Sequence, residues 1–495
     1  MYYNQIIDND EQLVYSLIKL FIDRNVETIR QSEIRENLQI SSHKLLHLLE
    51  ITENLAERLE TFSISINKKE CTFKTTSTFS LQDIYTEIVK TSVSFKLLTE
   101  LLNARSFSLE IFAQKNYMST RTIYRKISGL SSYLDNYHLK LNLRRKYPLS
   151  GAEYFLRYFY HLLYWQIYGP AKKYNQLTST QISELEQSII KNYPYFRKID
   201  RSRWLHYFDL TLKRVRNGFY LDSLPEEITN FKNICIGFAT FKEQFIIDSI
   251  FPNKLNQRAK ENEAVLLYYL LSMMTTYSFA ESEVILTKTQ IIADGTEKIV
   301  KTFIEVLEKL FNVQLTTAER LFLSLNLMII HSKSHVYATK NKTDIFGMRT
   351  FEIKLAEFFP AYYYKVKIEL LQSASQSSFK RLYQENERLF FQYCMLIREI
   401  LENHQSISFN IFLQSKLGNL QEEWQKRRVK DVINSDICIQ FVEDEQKADL
   451  ILTDYVDIER TEKDKYYHWQ TNPNAKDWKY IVNYITQFQK KYLGF

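Results

Sequence analysis

Residues 108–151 read SLEIFAQKNYMSTRTIYRKISGLSSYLDNYHLKLNLRRKYPLSG, and this stretch decides the fold of its part of the chain. Ser108 and Ser119 are both good N-cap residues, so the stretch predicts two short helices joined by a tight turn. We predict the second helix over 119–134, where apolar residues recur at helical spacing and mark its buried face: Ile123, Ile127, Leu130 and Leu134. An amphipathic helix is predicted before them, over 95–104. This order of helices indicates a helix-turn-helix.

The polar face of the 119–134 helix and the hairpin that follows are the candidate contact surfaces. The chain alternates as a strand over 138–143, turns at the basic run 144–146 and returns over 147–151, which predicts a basic wing. In a helix-turn-helix the second helix enters the major groove, where Arg pairs with guanine, while hydroxyl groups and Lys hold phosphate. The predicted DNA contacts are Ser119, Thr120, Arg121, Thr122, Arg125 and Lys126 on the helix and Arg144, Arg145 and Lys146 on the wing.

Charge is concentrated in this region. The whole chain of 495 residues carries a net charge of +7, and residues 101–150 hold nine basic against two acidic residues. A concentrated basic stretch is typical of a phosphate-binding surface, although charge alone fits a solvated basic face equally well. The order of helices and the wing favour the DNA-binding interpretation.

A second copy of this plan precedes it. Helices are predicted over 11–23, 32–38 and 41–59, followed by a hairpin over 62–75. Residues 1–75 hold nine basic against twelve acidic residues, and the exposed side of the third helix carries several Glu. This module is either a weaker DNA contact or a packing partner for the other one. Its candidate contacts are His43, Lys44, Lys68 and Lys69.

The rest of the chain predicts a helical body and a terminal α/β domain. Aromatic-rich amphipathic helices run from about 152 to 400, and short apolar strands over 406–414, 436–442 and 448–455 then alternate with helices. Alternating strands and helices indicate a parallel sheet. We therefore predict a mainly α, multidomain fold with two winged helix-turn-helix modules (1–78 and 79–155), two helical-bundle domains (156–284 and 285–402) and a small α/β domain (403–495).

Several function classes are disfavoured. Only 9 of 495 residues are Gly, and no Gly-rich phosphate-binding motif occurs, which argues against most classes of nucleotide-dependent enzyme. The four Cys are scattered, the His43/His47 and His331/His335 pairs lack a third ligand, and no catalytic set is recognisable. The longest apolar runs are about ten residues, too short for a membrane span. We predict a cytoplasmic protein that is not an enzyme and has no metal or cofactor.

The whole chain resembles the Mga/AtxA family of transcriptional regulators from Gram-positive bacteria. The most specific segments are MSTRTIYRKISGLSSYL at 118–134 and LTTAERLFLSLNL at 315–327. The second is similar to the L-T-x-x-E-x-x-x-L-x-L-H-I signature of the phosphotransferase-system regulation domain (PRD), and the C-terminal domain resembles an enzyme IIB (EIIB) domain. The resemblance implies an activator or global regulator of virulence or metabolic genes. It also implies a homodimer through the second helical and EIIB-like domains, with sugar-transport phosphocarrier proteins as candidate partners.

The phosphate acceptors that the resemblance implies are incomplete. Asn326 stands where the signature has His, and Leu270 takes the matching place in the first helical domain. His206 is the candidate phosphorylation site that remains, and we expect a structural role for it. Gln414-Ser415-Lys416 stands where the EIIB phosphocysteine is expected, and Cys438 lies in the second strand instead. Because Asn and Leu have no nucleophilic nitrogen, we expect phosphotransfer through these positions to be lost.

Two other classes stay open. An RNA-binding antiterminator carries related regulation domains, but its N-terminus is a small β-type domain, whereas this N-terminus predicts helical modules. A plasmid replication or recombination protein uses similar winged modules, but it needs a catalytic Tyr or a carboxylate–metal set that we cannot nominate among the 34 Tyr.

Overall fold

A computed structural model of the protein is mostly helical with small sheets, which agrees with the prediction of a mainly α, multidomain chain. The helices start at well-formed caps, such as Asp8, Ser41, Ser108 and Ser119. The described residues are 6–67, 69–103, 106–169, 174–229, 237–245, 250–252, 255–273, 277–288, 297–337, 368–370, 389, 392–393, 395–397, 399–400, 407–432, 437–455 and 465–492.

The first segment folds into three helices and a small sheet. Its elements are α1 (Asn9–Arg24), β1 (Thr28–Arg30), α2 (Gln31–Leu38), α3 (Ser42–Leu59), β2 (Phe62–Ile66) and β3 (Glu70–Thr75). Strand β3 pairs antiparallel with both β1 and β2. Phe21 of α1 stacks on Phe73 of β3, so the helices and the sheet share one apolar core. The three helices and the hairpin are confirmed, whereas β1 was not predicted.

The second segment has shorter elements. They are α4 (Leu81–Thr91), α5 (Val93–Asn103), α6 (Leu109–Lys115), α7 (Thr120–Lys126), α8 (Leu130–Asn136), β4 (Lys140–Leu141) and β5 (Leu149–Ser150). The prediction of one helix over 119–134 is wrong, because the chain turns at 127–129 between α7 and α8. Ser128 and Gly129 are poor helix formers, which favours the break at this place. The predicted apolar face is nevertheless buried at all four of its residues.

Further helices follow the hairpin. They are α9 (Glu153–Tyr168), α10 (Ser179–Asn192), α11 (Lys198–Arg216), α12 (Glu226–Thr229), α13 (Phe238–Gln244), α14 (Gln257–Ser272), α15 (Phe279–Lys288), α16 (Glu297–Phe311) and α17 (Thr317–Val336). Helix α9 runs without a break across the predicted boundary at 155/156. On one side the Tyr160 hydroxyl donates to the Leu98 carbonyl of α5, and on another Arg157 meets α14. This helix therefore joins the second segment to the helical body.

A buried ion-pair network fixes α9 to its neighbours. The Arg157 guanidinium is fully buried between Glu153 and Glu263, and it also donates to the Phe219 carbonyl at 3.1 Å. Arg214 of α11 donates to both oxygens of Glu153, at 2.9 and 2.8 Å. Such a network is tolerated in a core only when every charge is paired, so the loss of one partner leaves a buried charge without compensation.

The C-terminal segment is an α/β unit. It contains β6 (Ile407–Gln414), α18 (Asn419–Val432), β7 (Ile437–Phe441), β8 (Leu450–Thr453), β9 (Tyr466–His468) and α19 (Ala475–Tyr492). The strands are parallel in the order β7-β6-β8-β9, which confirms the predicted parallel sheet. Strand β9 is three residues long and was not predicted.

The contacts group the chain into two compact units. The first comprises 1–297 with 325–352, and the second comprises 298–324 with 353–495. The four predicted boundaries between the five domains stay predictions, and most of the predicted second helical domain lies outside the described residues. None of the described helices combines the length and the apolar composition that a membrane span requires.

Candidate nucleic-acid interface

A tight turn joins α6 to α7. Asn116 N–H donates to the Phe112 and Ala113 carbonyls, and Met118 N–H donates to the Ala113 carbonyl at 2.9 Å. Between them, Tyr117 adopts a left-handed backbone conformation with φ of 53°, and its side chain is 99% exposed. A bulky residue rarely adopts positive φ, so the turn holds Tyr117 in a costly conformation with its ring fully in solvent.

The outward face of α7 is basic and aromatic. Arg121, Tyr124 and Arg125 are all exposed, whereas Ile123 between them is fully buried. Thr120 lies on the same face, one turn before Tyr124. Neither Arg121 nor Arg125 forms an ion pair with any residue that the structure describes. Their guanidinium groups are therefore available for an external acceptor, with geometry suited to base edges or phosphate.

Two of the predicted contacts serve mainly to form the helix. The Ser119 hydroxyl accepts a hydrogen bond from Thr122 N–H at 3.1 Å and lies 2.8 Å from the Thr122 hydroxyl. These bonds cap α7 and set the direction in which it begins. Ser119 is exposed and Thr122 is half-buried, so both stay at the edge of the outward face.

Lys126 is engaged within the protein. Its ammonium forms an ion pair with Asp8, the N-cap residue of α1, so the end of α7 is tied to the first segment. Asp8 and Glu11 form a capping box, in which Glu11 accepts from Asp8 N–H at 2.7 Å. Burial, together with the neighbouring Asp8 charge, raises the pKa of Glu11 to about 7. Lys126 thus belongs to a small charged junction between the two segments.

The hairpin β4–β5 presents the second basic group. Asn142 N–H donates to the Pro148 carbonyl, and the Asn142 side chain accepts from Arg144 N–H at 3.1 Å, which shapes the loop. The side chains of Arg144, Arg145 and Lys146 are all exposed. Tyr147 makes an edge contact with Phe219 of the helical body at 5.8 Å between ring centroids. The predicted wing is present, with strands of only two residues each.

A glycine closes the base of this hairpin. A Cβ at Gly151 would lie 2.5 Å from Cδ2 of the buried Leu139 and 3.1 Å from the His138 carbonyl oxygen. A side chain at this position would therefore require the Leu139 side chain or the backbone after α8 to shift.

Unlike Arg121 and Arg125, one of the candidate DNA contacts of the first segment is already engaged in an ion pair within the protein. His43 is exposed at the start of α3, but Lys44 forms an ion pair of 2.5 Å with Asp10. His47 also reaches Asp10, at 3.5 Å. Lys69 is exposed, and Lys68 lies outside the described residues. The exposed side of α3 then presents Glu50, Glu53 and Glu57.

Two exposed aromatic residues beside this surface, Tyr117 and Tyr124, were not predicted from the sequence. Both are exposed beside Arg121 and Arg125, and Tyr hydroxyl groups contact DNA phosphates in known complexes. The helical spacing gave a signal for Tyr124, because it follows Arg121 by three residues and precedes the buried Ile127 by three. The exposure of Tyr117 depends on the conformation of the turn, which the spacing of residues in the sequence does not indicate.

The positions that concern phosphorylation are buried. The His206 side chain is 3% exposed, and its Nδ1 lies 3.0 Å from Nδ1 of the buried His161. The Asn326 side chain makes two hydrogen bonds of 2.9 Å to the backbone of Tyr277, and Leu270 lies in the apolar core. His331 is also buried, which lowers its pKa to about 3 and keeps it neutral.

The loop after β6 closes on a carboxylate. The Ser415 hydroxyl donates to Asp454 at 2.8 Å, and Lys416 N–H donates to its other oxygen at 2.7 Å. Burial acts to raise the pKa of Asp454, but these hydrogen bonds together hold it below its ordinary value. Among the described residues, no group of three His, Cys, Asp or Glu could hold a metal ion.

Comparison with known proteins places this surface in a known class of domain. Residues 77–164 match the family model of the Mga helix-turn-helix domain, a range that includes α4–α8, the β4–β5 hairpin and most of α9. No curated protein matches the chain. The match supports a DNA-binding transcription regulator of the Mga-like kind.

Proposed function

We propose that this protein regulates transcription by reading duplex DNA with α7 and by gripping the phosphate backbone with the β4–β5 wing. The exposed face of α7 is the observation that carries the proposal. It presents two arginines without ion pairs among the described residues, in a domain that matches a DNA-binding family model. Arg121 and Arg125 are our candidates for base contacts. Ser119, Thr120, Thr122 and Tyr124 lie where they would contact phosphate or bases at the edge of the groove.

The test compares two double variants that remove the same charge. Arg121→Ala/Arg125→Ala removes the proposed base-reading side chains, and Arg427→Ala/Arg428→Ala removes two exposed arginines of α18. Each good bidentate pair is worth about 1–3 kcal/mol, so we expect the first variant to bind roughly 30-fold more weakly or worse and the control to bind almost as wild type does. Binding is measured by fluorescence anisotropy on duplexes selected from genomic fragments. Equal affinity of wild type and the first variant would refute the assignment.

The same titration separates the alternative classes. A regulator of this kind binds the selected duplex more tightly than an RNA hairpin of equal length. A preference for the hairpin would support the RNA-binding antiterminator instead. Metal-dependent nicking of the duplex would support a replication or recombination protein.

We also propose that the protein is a homodimer through its second helical domain and its EIIB-like domain. Leu417, Leu420 and Trp424 are exposed at helical spacing on and beside α18, and Leu420 is 90% exposed. An apolar stripe of this kind is typical of a protein–protein contact. We expect sedimentation at micromolar concentration to show a dimer that Leu420→Glu weakens. A monomeric wild type would contradict this proposal.

Whether sugar-transport phosphocarriers control the protein depends on whether His206 can be phosphorylated. We propose that His206 is structural, because its ring is buried against His161 and Trp165 where a carrier protein has no access. We expect a phosphorylated carrier to transfer no more label to wild type than to His206→Ala. Label in wild type that His206→Ala abolishes would establish phosphorylation and contradict the structural role.

The regulated genes define the rest of the function. We propose an activator or global regulator of virulence or metabolic genes that acts in the cytoplasm. Genome-wide mapping of bound DNA, with and without a preferred sugar, tests both the targets and the dependence on sugar transport.

A further inference from the structure

The end of α7 is held by the first segment of the chain. Lys126, the last residue of α7, forms an ion pair with Asp8 at the start of α1, 118 residues earlier in the sequence. Lys126 is one of the basic residues that the sequence predicts to contact DNA. It directly follows Arg125, whose exposed guanidinium forms no ion pair with a described residue. The pair with Asp8 therefore withdraws one cation from the proposed reading helix.

The two carboxylate oxygens of Asp8 have separate partners. Oδ1 accepts a hydrogen bond from Glu11 N–H at 3.0 Å and caps α1, whereas Oδ2 pairs with the Lys126 ammonium. In return, Asp8 N–H donates to Glu11 at 2.7 Å, which commits that carboxylate to the same cap. Because Asn and Ser cap helices as well as Asp does, the cap does not require the negative charge that meets Lys126.

Asp8 is fixed in place opposite Lys126. Next to it, Asp10 pairs with Lys44 at 2.5 Å and lies 3.5 Å from His47, so the start of α1 is tied to α3. The side chains of Asp8 and Lys126 are 14% and 27% exposed, respectively. Partial burial strengthens an ion pair relative to one in full solvent. The exposure that remains leaves the ammonium within reach of an external anion.

The shortness of α7 keeps Lys126 close to the DNA that this helix is proposed to read. The helix has 7 residues, which corresponds to a length of about 10 Å at a rise of about 1.5 Å per residue. A duplex carries one negative charge per roughly 1.7 Å of its axis, so about six phosphates accompany a segment of that length. A Lys126 side chain released from Asp8 would therefore meet DNA phosphate.

We propose that the first segment restrains DNA binding by α7, because Asp8 occupies Lys126 in place of a DNA phosphate. The inference rests on the proposed function, since it requires that α7 lies against duplex DNA. A carboxylate and a phosphate both accept charge-assisted hydrogen bonds from an ammonium, so the two compete for Lys126. DNA binding then either breaks the pair or proceeds without this cation. In both cases the affinity of α7 for DNA is lower than its own side chains permit.

Asp8→Asn in the full chain breaks the ion pair and keeps the cap. The Asn oxygen still accepts from Glu11 N–H, while its amide group turns a donor toward Lys126. We expect this variant to bind the selected duplex about threefold or more tightly than wild type at low salt. The slope of log affinity against log salt should become steeper by about 0.9, because one more phosphate is neutralised. Fluorescence anisotropy at several salt concentrations measures both quantities.

Further variants identify the cause of the gain. In a Lys126→Gln background, Asp8→Asn is expected to leave affinity and slope unchanged, because there is no lysine to release. Asp8→Ser, a second uncharged cap, is expected to give the same gain as Asp8→Asn. Asp8→Asn/Glu11→Gln also removes the other carboxylate near Lys126 and retains the capping box, so it should gain at least as much. Asp23→Asn removes the same charge near the other end of α1 and is expected to bind as wild type does.

Three outcomes would overturn the proposal. They are unchanged or weaker binding by both Asp8→Asn and Asp8→Ser, an equal gain in the Lys126→Gln background, or an equal gain in Asp23→Asn. The first would show that the pair does not restrain binding, and the other two would show diffuse repulsion between DNA and the first segment. Arg121→Ala/Arg125→Ala, measured alongside, separates this proposal from the proposed function. Weaker binding by that variant without a gain in Asp8→Asn overturns only the restraint, whereas wild-type binding by that variant contradicts the reading by α7 itself.

Discussion

In both the first and the second segment, helices are followed by a hairpin, but the two segments present opposite surfaces. In the first, the basic residue at the start of α3 is paired with Asp10 and the exposed face continues with three Glu. In the second, α7 presents Arg121 and Arg125 without ion pairs among the described residues. The plan of the fold is therefore insufficient for a DNA interface. What distinguishes the second segment is that its exposed arginines form no ion pair among the residues that the structure describes.

Substitutions in the wing are predicted to give the largest difference between the two segments in DNA affinity and in its salt dependence. Arg144→Ala/Arg145→Ala/Lys146→Ala removes up to three cations that would neutralise phosphates. The slope of log affinity against log salt should therefore become shallower by about 0.9 for each phosphate that is no longer neutralised. At moderate salt this corresponds to roughly 100-fold weaker binding on all sequences alike. Lys69→Ala, on the hairpin of the first segment, should change the slope little. Equal slope changes for both variants would break the comparison.

The junction between the segments should respond to pH. The pKa of Glu11 is raised to about 7 in the folded protein, above its ordinary value of 4.5, because it is buried beside Asp8. The folded state then binds the extra proton between these values, so this group's stabilisation is present below pH 4.5 and is lost as the pH rises through 7. Glu11→Gln should flatten this part of the stability profile and stabilise the protein at pH 8, by an amount on the order of 2 kcal/mol.

Chemical denaturation between pH 5 and 8 measures that effect. Asp23→Asn serves as the control, because it removes an exposed carboxylate of the same helix and is expected to leave the profile unchanged. A profile for Glu11→Gln that matches wild type would show that Glu11 titrates normally.

Substitutions in the first segment are expected to have the smallest effect on DNA affinity. His43→Ala/Lys44→Ala should change DNA affinity less than about twofold, because Lys44 is held by Asp10 and three exposed Glu repel phosphate nearby. The same anisotropy titration measures it. A weakening as large as that of the α7 variant would show that α3 binds DNA as strongly as α7 does.

Much of this architecture follows from apolar spacing in the sequence. The buried face of the 119–134 stretch was predicted correctly, and so were the three helices of the first segment and the parallel sheet. Strands β1 and β9 were missed because three residues are too few to show alternation. The break between α7 and α8 was missed because the apolar face continues through it.

The partner of each charged side chain was harder to predict than the position of that side chain on its helix. Lys126 pairs with Asp8, 118 residues away in the sequence, and Lys44 pairs with Asp10, 34 residues away. The burial of His206 likewise depends on the packing of α9 against α11. Local patterns place a residue on a helix face, but they do not show which distant residue meets it.

The sequence preference of single variants tests the central claim most directly. Wild type, Arg121→Ala, Arg125→Ala and His43→Ala are titrated against duplexes in which each base pair of the binding site is changed in turn. We predict that each Arg variant loses discrimination of about 1–3 kcal/mol at particular base pairs, while His43→Ala keeps the wild-type preference at every position. Unchanged preference in both Arg variants, or an altered preference in His43→Ala, would contradict the account.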